Sequence, residues 1–453
     1  MNSFIKKQFL SVNQVSLVKI KIITLLVFCL LNACQIVPDA FKPDEQQSET
    51  IQTNSFVLSE SDSVIGQIAA VHSRKGETLP DIARHFGLGF NEIMRANKKL
   101  KVWQLTEASR VILPLEFILP NAPHEGVVIN VANMRLFYFP TESNSRHPRS
   151  VFSFPLGIGK EGWSTPLGKT RIIRKTKAPK WHVPISIREE HALKGDPLPA
   201  VIPAGPDNPL GAYAMHLGFP GYLIHGTNKP YGVGLRVSHG CVRMYPENIE
   251  RLFSQTSVGT KVTIVDQPYL IGWRDNMLFL EVHSSADKHS KKIKQLNKQL
   301  LDKFKQNPEA AGTEIDWDKV KKVLAMSTGI PQPVLTTIDA KTVSSYGFPL
   351  AKRPNTLYSI PIIPPLKEDT WSVIAASFLH RENAEKLAAI LNHQGPQIPS
   401  RVIENDENYR VVAGPYEHKK QANKIVRRMK LDFEIDALVK KVNSYNLADS
   451  LLE

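Results

Sequence analysis

Apolar residues recur with the period of a helix in some segments and with the period of a strand in others. The changes between these two periods divide the chain into blocks. In residues 69–114, a short apolar run precedes Thr78, a residue type that caps helices, and the apolar positions after it have helical spacing. A second helical stretch follows Gly87 and ends at Asn97, before an apolar run at 111–114. The pattern predicts a small strand–helix–helix–strand module over residues 69–115. Its apolar helix positions are Leu79, Ile82, Ala83, Phe86, Phe90, Ile93 and Met94.

The next block, residues 126–268, is rich in strand and turn signals. Residues 127–131 and 135–139 flank Ala-Asn-Met and predict a hairpin. Further strands are predicted at 151–154, 171–173 and 261–265. One helix is predicted after Tyr245, where Pro246 occupies its first turn. We therefore expect a mostly β domain.

Two further blocks follow this domain. Residues 291–306 and 317–326 predict exposed amphipathic helices, so residues 269–346 are expected to be a helical, charged extension. Residues 347–369 contain several prolines and are typical of a semi-rigid linker. In residues 370–443, apolar strands alternate with amphipathic helices, which predicts a small α/β sandwich. The predicted elements are strands at 371–378 and 409–416, a helix at 382–391, and a last helix carrying Ala422, Ile425, Val426 and Met429.

The N-terminus has the pattern of an export signal. Residues 1–38 contain no acidic side chain, and residues 22–31 form an apolar run too short to span a bilayer. The run ends in Leu-Asn-Ala-Cys34, which resembles a bacterial lipoprotein box, so residues 1–33 are predicted to be removed and Cys34 to carry the lipid. Gln35 after the acceptor favours the outer membrane of a Gram-negative cell. The alternative is a plain secretory signal with an incidental cysteine. Residues 34–68 are polar and predict a disordered tether.

Composition narrows the function classes. The 453 residues are 42% hydrophobic and 22% charged, a balance that supports several buried cores. Since no apolar run reaches about 18 residues, a multi-pass membrane protein is excluded. The net charge of +14 attracts polyanions. We expect no nucleic acid partner because the sequence contains no recognition motif for one.

The candidate chemistry centres on Cys241. Of the chain's three cysteines, Cys29 lies in the predicted signal and Cys34 is the predicted lipid site, so Cys241 is the one spare thiol. It stands in Ser-His-Gly-Cys-Val-Arg at 238–243, downstream of His225-Gly-Thr. A thiol nucleophile needs a nearby base and donors for an oxyanion, and this segment supplies imidazoles and glycines. Two alternatives are an inert buried cysteine and a zinc site made by His225, His239 and Cys241.

These motifs resemble known families. Residues 225–227 and 238–243, with Gly-Ile-Gly at 157–159, Ser-Thr-Pro-Leu-Gly at 164–168 and residues 203–211, resemble the L,D-transpeptidases. Gly-Glu-Thr-Leu at 76–79, with the residues to Asn97, is similar to a LysM module, and residues 409–416 are similar to the SPOR signature. The resemblance implies a multidomain fold: a mostly-β L,D-transpeptidase catalytic domain, flanked by a βααβ LysM module and a C-terminal α/β SPOR-like sandwich.

The resemblance also implies roles for individual residues. Cys241 is the expected nucleophile and His225 the proton donor and acceptor, with the carbonyl of Gly226 orienting the ring. N–H groups at Gly240 and Cys241 are expected to hold the oxyanion, and no metal or cofactor is implied. The residues expected to shape the site or bind substrate are Ser238, His239, Arg243, Tyr213, Met215 and His216.

The implied reaction is acyl transfer on peptidoglycan. The thiolate attacks the bond between meso-diaminopimelate and D-alanine in a tetrapeptide stem, and an amine resolves the thioester. The acceptor stays open: a second stem, the terminal lysine of an outer-membrane lipoprotein, or water, which would make the enzyme an L,D-carboxypeptidase. The alternative from another class is a non-catalytic scaffold lipoprotein that binds peptidoglycan through its flanking modules. Either protein is expected in the periplasm.

Overall fold

The computed structural model describes residues 53–58, 63–141, 149–193, 195–283, 290–310, 312–336, 348–353, 357, 361–404 and 408–442. The predicted signal and the predicted lipid site at Cys34 lie outside these residues. Within them, no helix combines the length and the apolar character needed to cross a bilayer.

The N-terminal module has the predicted order of elements. Its elements, with the strands beside it, are β1 (Ser55–Val57), β2 (Val64–Gly66), β3 (Ala69–His72), α1 (Leu79–His85), α2 (Phe90–Ala96), β4 (Arg110–Leu113) and β5 (Glu116–Ile118). Thr78 caps α1 as predicted, and Asp81 completes a capping box with it. Asn97 ends α2, where its amide bonds the backbone of Ile93 and Ile112 and so ties the helix to β4. The helix pair, which lies between β3 and β4 in sequence, packs over this antiparallel pair of strands.

The tether prediction is wrong for its C-terminal part. β1 pairs with a strand of the central domain, and β2 pairs with β5. Phe56 and Ile65 are only 3% and 4% exposed because they join the core of the N-terminal module. Burial of these two side chains offsets the entropy cost of ordering a polar segment.

The central domain is built on one nine-stranded sheet. Its elements are β6 (Gly126–Asn130), β7 (Arg135–Phe139), β8 (Ser150–Pro155), β9 (Ile158–Gly159), β10 (Gly168–Lys177), β11 (Trp181–His182), α3 (Ile185–Leu193), β12 (Val201–Ile202), β13 (Tyr213–Leu217), β14 (Leu223–His225), a 3₁₀ turn (Pro230–Gly232), β15 (Arg236–Ser238), β16 (Val242–Arg243), α4 (Pro246–Gln255) and β17 (Lys261–Val265). The order in the sheet is β1-β8-β7-β6-β17-β10-β13-β14-β16.

Every strand predicted in this domain is present, and the β6–β7 hairpin has the predicted turn. The core lies between the sheet and α4, where Ile249 and Leu252 pack on apolar residues of β6, β13 and β17. Pro246 begins α4 as predicted. The sheet ends at β14 and β16, which pair in parallel. That edge carries the candidate site.

The helical extension also contains a sheet, which the sequence pattern did not predict. Its elements are β18 (Tyr269–Arg274), β19 (Met277–Val282), α5 (Ser290–Lys305), a 3₁₀ turn (Pro308–Ala310), α6 (Trp317–Met326) and β20 (Gln332–Pro333). The helices are not simply exposed, since Leu296 and Leu300 of α5 and Val320 of α6 are buried against the β18–β19 hairpin. The extension thus has a core of its own.

The C-terminal domain is the predicted α/β sandwich. Its elements are β21 (Trp371–Phe378), α7 (Arg381–His393), β22 (Ser400–Glu404), β23 (Tyr409–Tyr416), α8 (Lys419–Phe433) and β24 (Leu438–Lys441). The strand order is β22-β23-β21-β24, and both helices contribute to the core. β22 and β24 were not predicted.

Part of the expected linker is docked. Leu350 forms a parallel bridge with Ala70 of β3, and Ala70 exchanges backbone hydrogen bonds with Pro349 and Ala351. The guanidinium of Arg353 pairs with the buried carboxylate of Glu77. The linker expectation is therefore wrong for residues 348–353, because they satisfy the backbone groups on one edge of β3.

Candidate active site

The last two strands of the central sheet bring the two predicted reactive side chains together. His225 ends β14 and Cys241 immediately precedes β16, and the parallel register pairs Ile224 with Val242. Both side chains line one cavity of about 1320 Å³. The fifteen residues between these two positions include the 3₁₀ turn and β15, and they return the chain to the neighbouring strand.

The imidazole of His225 is held in one orientation. It is 2% exposed, and its Nδ1 lies 2.6 Å from the carbonyl oxygen of Gly226. Because a carbonyl only accepts, Nδ1 carries the proton and Nε2 is left with its lone pair. Burial, and then the positive charge of Arg243, lower the pKa of His225 to about 3. The ring is neutral at physiological pH and able to accept a proton.

The thiol of Cys241 is also kept neutral. Its Sγ lies 3.7 Å from the carbonyl oxygen of Gly221, to which it donates. Burial raises the pKa of the Cys241 thiol, although the backbone amide of Leu223 and the charge of Arg243 act in the opposite direction. The site therefore pairs a thiol with a neutral imidazole rather than a thiolate with an imidazolium.

The loop before Cys241 is fixed by two hydroxyl groups. Ser238 is buried and donates to the carbonyl oxygen of Cys241 at 2.6 Å. Thr165 donates to the carbonyl oxygen of Gly240 at 2.9 Å. Gly240 has φ +100°, a conformation that disfavours side chains, and a Cβ there would lie 2.9 Å from the ring of Tyr222.

This loop leaves two backbone donors available. Across the part of the chain that the structure describes, the N–H groups of Gly240 and Cys241 donate no hydrogen bond. The carbonyl groups of Gly240 and Cys241 accept hydrogen bonds from Thr165 and Ser238, and these bonds hold the loop in place. The N–H groups of the same two residues remain available to a ligand. That is the arrangement an oxyanion site requires.

Three predicted recognition residues line the cavity. Nε of Arg243 is buried and has no hydrogen-bond partner among the described residues. Nε2 of His239 lies 2.8 Å from the carboxylate of Glu190, and its ring packs edge-on against Trp163. His216 faces the guanidinium of Arg174 at 3.0 Å. Of these three side chains, Arg243 is therefore the one with a buried polar nitrogen that the described residues leave without a partner.

Two predicted cleft residues lie elsewhere. The hydroxyl of Tyr213 donates to Glu250 of α4 at 2.9 Å, and its ring packs on Phe253. Met215 is fully buried in the core and accepts from Thr256. Since alternate residues of a strand share a face, Tyr213 and Met215 face α4 whereas His216 faces the cavity. The prediction that Tyr213 and Met215 line the cleft is wrong.

Comparison with known proteins assigns the chain to a family. Residues 124–264 match the model of the L,D-transpeptidase catalytic domain, residues 74–102 match the LysM domain, and residues 367–441 match the SPOR domain. "Probable L,D-transpeptidase ErfK/SrfK" of Salmonella typhimurium is 36% identical over 282 residues, which cover 60% of this chain and 88% of that protein. The chain belongs to the L,D-transpeptidase family.

Other family members give the same result. "Probable L,D-transpeptidase YbiS" of Escherichia coli is 40% identical over 225 residues, 49% of this chain and 72% of that protein. "Probable L,D-transpeptidase YcfS" of the same species is 36% identical over 264 residues, 57% of this chain and 81% of that protein. The predicted family, fold class and enzyme class are confirmed.

The flanking domains add a cell-wall role to this L,D-transpeptidase. LysM and SPOR domains bind peptidoglycan, and the catalytic domain acts on it. The chain therefore has a peptidoglycan L,D-transpeptidase domain between two modules for the same polymer. The zinc alternative has no geometric basis: among the described residues, no three His, Cys, Asp or Glu side chains are grouped to hold a metal ion.

Several residues that support or extend the L,D-transpeptidase site were not predicted from the sequence. Asn208 is fully buried and bonds the backbone of Pro179, Pro203 and Leu210, so it fixes the loop whose Leu210 backbone bonds His225. Its place in the 203–211 motif was a usable signal. The C-terminal domain also contributes to the cavity, for which the sequence had no local signal. The residues it adds are Pro396, Lys424, Arg427, Arg428, Leu431 and Asp432.

Proposed function

We propose that this enzyme acts on the bond between meso-diaminopimelate and D-alanine in a tetrapeptide stem, through a thioester on Cys241. The single observation that carries the proposal is the 2.6 Å contact between Nδ1 of His225 and the carbonyl of Gly226, in a ring that shares a cavity with the thiol. This contact fixes the tautomer that a general base needs. The roles of Cys241, His225 and Gly226 rest on it.

In the first step, Nε2 of His225 takes the thiol proton while Sγ attacks the substrate carbonyl. The developing oxyanion is held by the N–H groups of Gly240 and Cys241, which donate no hydrogen bond among the described residues. Collapse breaks the carbon–nitrogen bond, and the imidazolium returns its proton to the leaving D-alanine amine. The product is a thioester between Cys241 and the diaminopimelate carbonyl.

In the second step, an amine attacks the thioester and His225 takes its proton. The C–S bond breaks and the thiol is restored, so one amide has been exchanged for another without oxidant, reductant or external energy source. Arg243, with its buried unpartnered Nε, binds a carboxylate of the stem. Ser238 holds the loop, and His239 and His216 shape the cavity.

The acceptor is an amine of a second stem or the terminal lysine of an outer-membrane lipoprotein. Both fit a protein with two peptidoglycan-binding modules, whereas water would discard the acyl group. A lipid on Cys34 would place the enzyme in the periplasm at the outer membrane. We further propose the domain boundaries 69–115, 126–268 and 370–443 for the LysM, catalytic and SPOR domains, which the family matches at 74–102, 124–264 and 367–441 support.

Product analysis tests the proposal. The protein is incubated with purified disaccharide-tetrapeptide, with and without a peptide ending in lysine, and the products are separated by chromatography and mass spectrometry. We expect D-alanine release with cross-linked dimers or a lysine adduct, and no release by Cys241→Ala. Tripeptide alone would identify a carboxypeptidase. No D-alanine from a folded protein with a free thiol would contradict the proposal and favour the peptidoglycan-binding scaffold.

A further inference from the structure

One wall of the catalytic cavity comes from the SPOR domain. Helix α8 contributes Lys424, Arg427, Arg428, Leu431 and Asp432 to the surface that also contains Cys241 and His225. The remaining SPOR residue in the wall is Pro396, whose carbonyl accepts from Arg428. The reacting groups thus face a module other than the one that carries them.

Ion pairs hold α8 against two separate segments of the catalytic domain. The guanidinium of Arg427 lies 2.8 Å from the carboxylate of Asp196 and donates to the carbonyl of Gly195. The ammonium of Lys229 lies 2.9 Å from the carboxylate of Asp432. Asp196 follows α3, whereas Lys229 is two residues beyond the His-Gly-Thr motif. Because α8 is tied to both segments, it closes one side of the cavity between them.

The charge of the cavity wall is unbalanced. Its Lys and Arg side chains outnumber its Asp side chains, and it has no Glu among the described residues. The cations are Arg174, Lys180, Lys229, Arg243, Lys424, Arg427 and Arg428, and the anions are Asp196, Asp207 and Asp432. Asp196 and Asp432 are already paired with cations of the wall. A cavity with this excess of positive charge attracts a ligand that carries several carboxylates.

Two of these cations are not neutralised by the protein. Within the described ranges, the ammonium groups of Lys180 and Lys424 have no hydrogen-bond or ion-pair partner, and both side chains are exposed. Lys180 belongs to the catalytic domain and Lys424 to the SPOR helix. Each is therefore available to a ligand in the cavity.

We propose that Lys424 of the SPOR domain, together with Lys180 of the catalytic domain, binds carboxylates of the acidic peptide stem, so that the SPOR domain completes the peptide site. This inference rests on the proposed function, since it concerns the same cavity and the same substrate. It gives the SPOR domain a role in binding peptide in addition to binding glycan. The peptide enters between α8 and the segments around Cys241.

Binding to a full chain that cannot react tests the inference directly. In the Cys241→Ala background, affinity for disaccharide-tetrapeptide is measured by calorimetry at low salt for Lys424→Glu and for the matched control Lys420→Glu. Lys420 is exposed on the same helix but is outside the cavity. We expect Lys424→Glu to weaken binding roughly three- to tenfold, and Lys420→Glu less than about twofold.

Two further measurements make the result specific. The difference between the variants should shrink as salt rises from 0.01 to 1 M, with a Debye length that falls from about 30 to about 3 Å. It should vanish for a ligand whose carboxylates are amidated. Equal affinity of the two variants, a difference unaffected by salt, or the same difference for the amidated ligand would overturn the inference. D-alanine release by the wild type is measured separately, so failure of the proposed function is seen independently of this outcome.

Discussion

His225 and Cys241 are two neutral groups whose burial makes charge separation costly. Desolvation lowers the pKa of His225 to about 3 and raises the pKa of the Cys241 thiol. Arg243 disfavours an imidazolium but favours a thiolate, so it opposes only one of the two charges. The proton therefore moves from Sγ to Nε2 during attack, when substrate is bound, rather than beforehand.

We predict that the rate of Cys241 alkylation rises at a higher pH than the rate for a free cysteine. Because the folded-state pKa of the thiol lies above its ordinary value, the thiolate fraction at neutral pH is smaller than in a free cysteine. Iodoacetamide labelling of Cys241, followed by mass spectrometry, should show a midpoint above that of a cysteine peptide measured in parallel. A midpoint at or below the peptide's would indicate a preformed thiolate–imidazolium pair and contradict this description.

The reactive residues were predictable because their spacing is local to one segment of sequence. The position of Tyr213 was not predicted correctly, because the strand that contains it was not predicted. Residues 213 and 216 are separated by an odd number of positions in one strand, so they cannot face the same side. With His216 in the cavity, Tyr213 must face α4. The correction needs the structure, because the sequence pattern did not predict a strand at residues 213–217.

The loop that carries the nucleophile depends on Ser238 at the end of β15. Ser238→Ala removes the part-buried hydrogen bond to the carbonyl of Cys241, which costs about 0.5–1.5 kcal/mol. We expect slower release of D-alanine, roughly tenfold or more, and a lower melting temperature. The control Ser254→Ala loses an exposed bond to Arg251 and should change stability by no more than about 0.5 kcal/mol. Equal effects of the two variants would show that Ser238 does not support the loop.

Most helices and strands of the LysM and SPOR domains could be predicted, because the apolar residues of each element recur with the period of a helix or of a strand. The β18–β19 hairpin was missed because Gly272 interrupts the alternation, at a position where a Cβ would lie 2.7 Å from Ile118. The sequence nevertheless contains a turn signal, the pair Asp275-Asn276 between two apolar runs. Asp275 and Asn276 join Arg274 to Met277 with φ +48° and +58°, the conformation of a two-residue hairpin turn.

At the scale of the whole molecule, an ion pair joins the LysM module to the sheet of the catalytic domain. Arg135 of β7 is fully buried, lies 3.1 Å from the carboxylate of Glu92 on α2, and donates to the carbonyl of Gly87. Arg135→Met leaves the partly buried carboxylate of Glu92 with the backbone N–H of Gly89 but without its cation. We predict a loss of roughly 2–4 kcal/mol in the free energy of unfolding. Urea denaturation of the wild type and the variant measures this difference in the free energy of unfolding.

The control for that variant is Lys261→Met, in which an exposed pair with Glu125 is lost. An exposed pair contributes at most about 1 kcal/mol. A similar effect of both substitutions would show that Arg135 does not hold the two modules together.

The position of α8 beside the active site is predicted to be detectable in solution. A zero-length carbodiimide reagent should join the ammonium of Lys229 to the carboxylate of Asp432, which are 2.9 Å apart. Peptide mass spectrometry should identify this cross-link, and it should be absent in Asp432→Asn. Absence from the wild type, under conditions that link Lys101 to Glu382, would contradict the placement of α8, because that second pair is 2.6 Å apart and more exposed.

This arrangement of domains could not be read from the sequence. Lys229 and Asp432 are 203 positions apart, and neither stands in a motif that specifies a partner. The carboxylate of Asp81 likewise contacts three domains. It accepts hydrogen bonds from Thr78 of the LysM module and from Tyr231 of the catalytic domain. It also lies 2.8 Å from Nδ1 of His393 in the SPOR domain. Domain motifs specify folds, whereas contacts between domains depend on surfaces that only the folded chain brings together.

The most direct test of acyl transfer through Cys241 is the intact mass of the protein during reaction with disaccharide-tetrapeptide. Transfer through a thioester predicts an adduct equal to the substrate minus D-alanine, located on Cys241 by peptide mapping and removed by hydroxylamine. The adduct should be absent in Cys241→Ala and much slower to form in His225→Ala. An adduct at another residue, or D-alanine release that persists without Cys241, would contradict transfer through a thioester on Cys241.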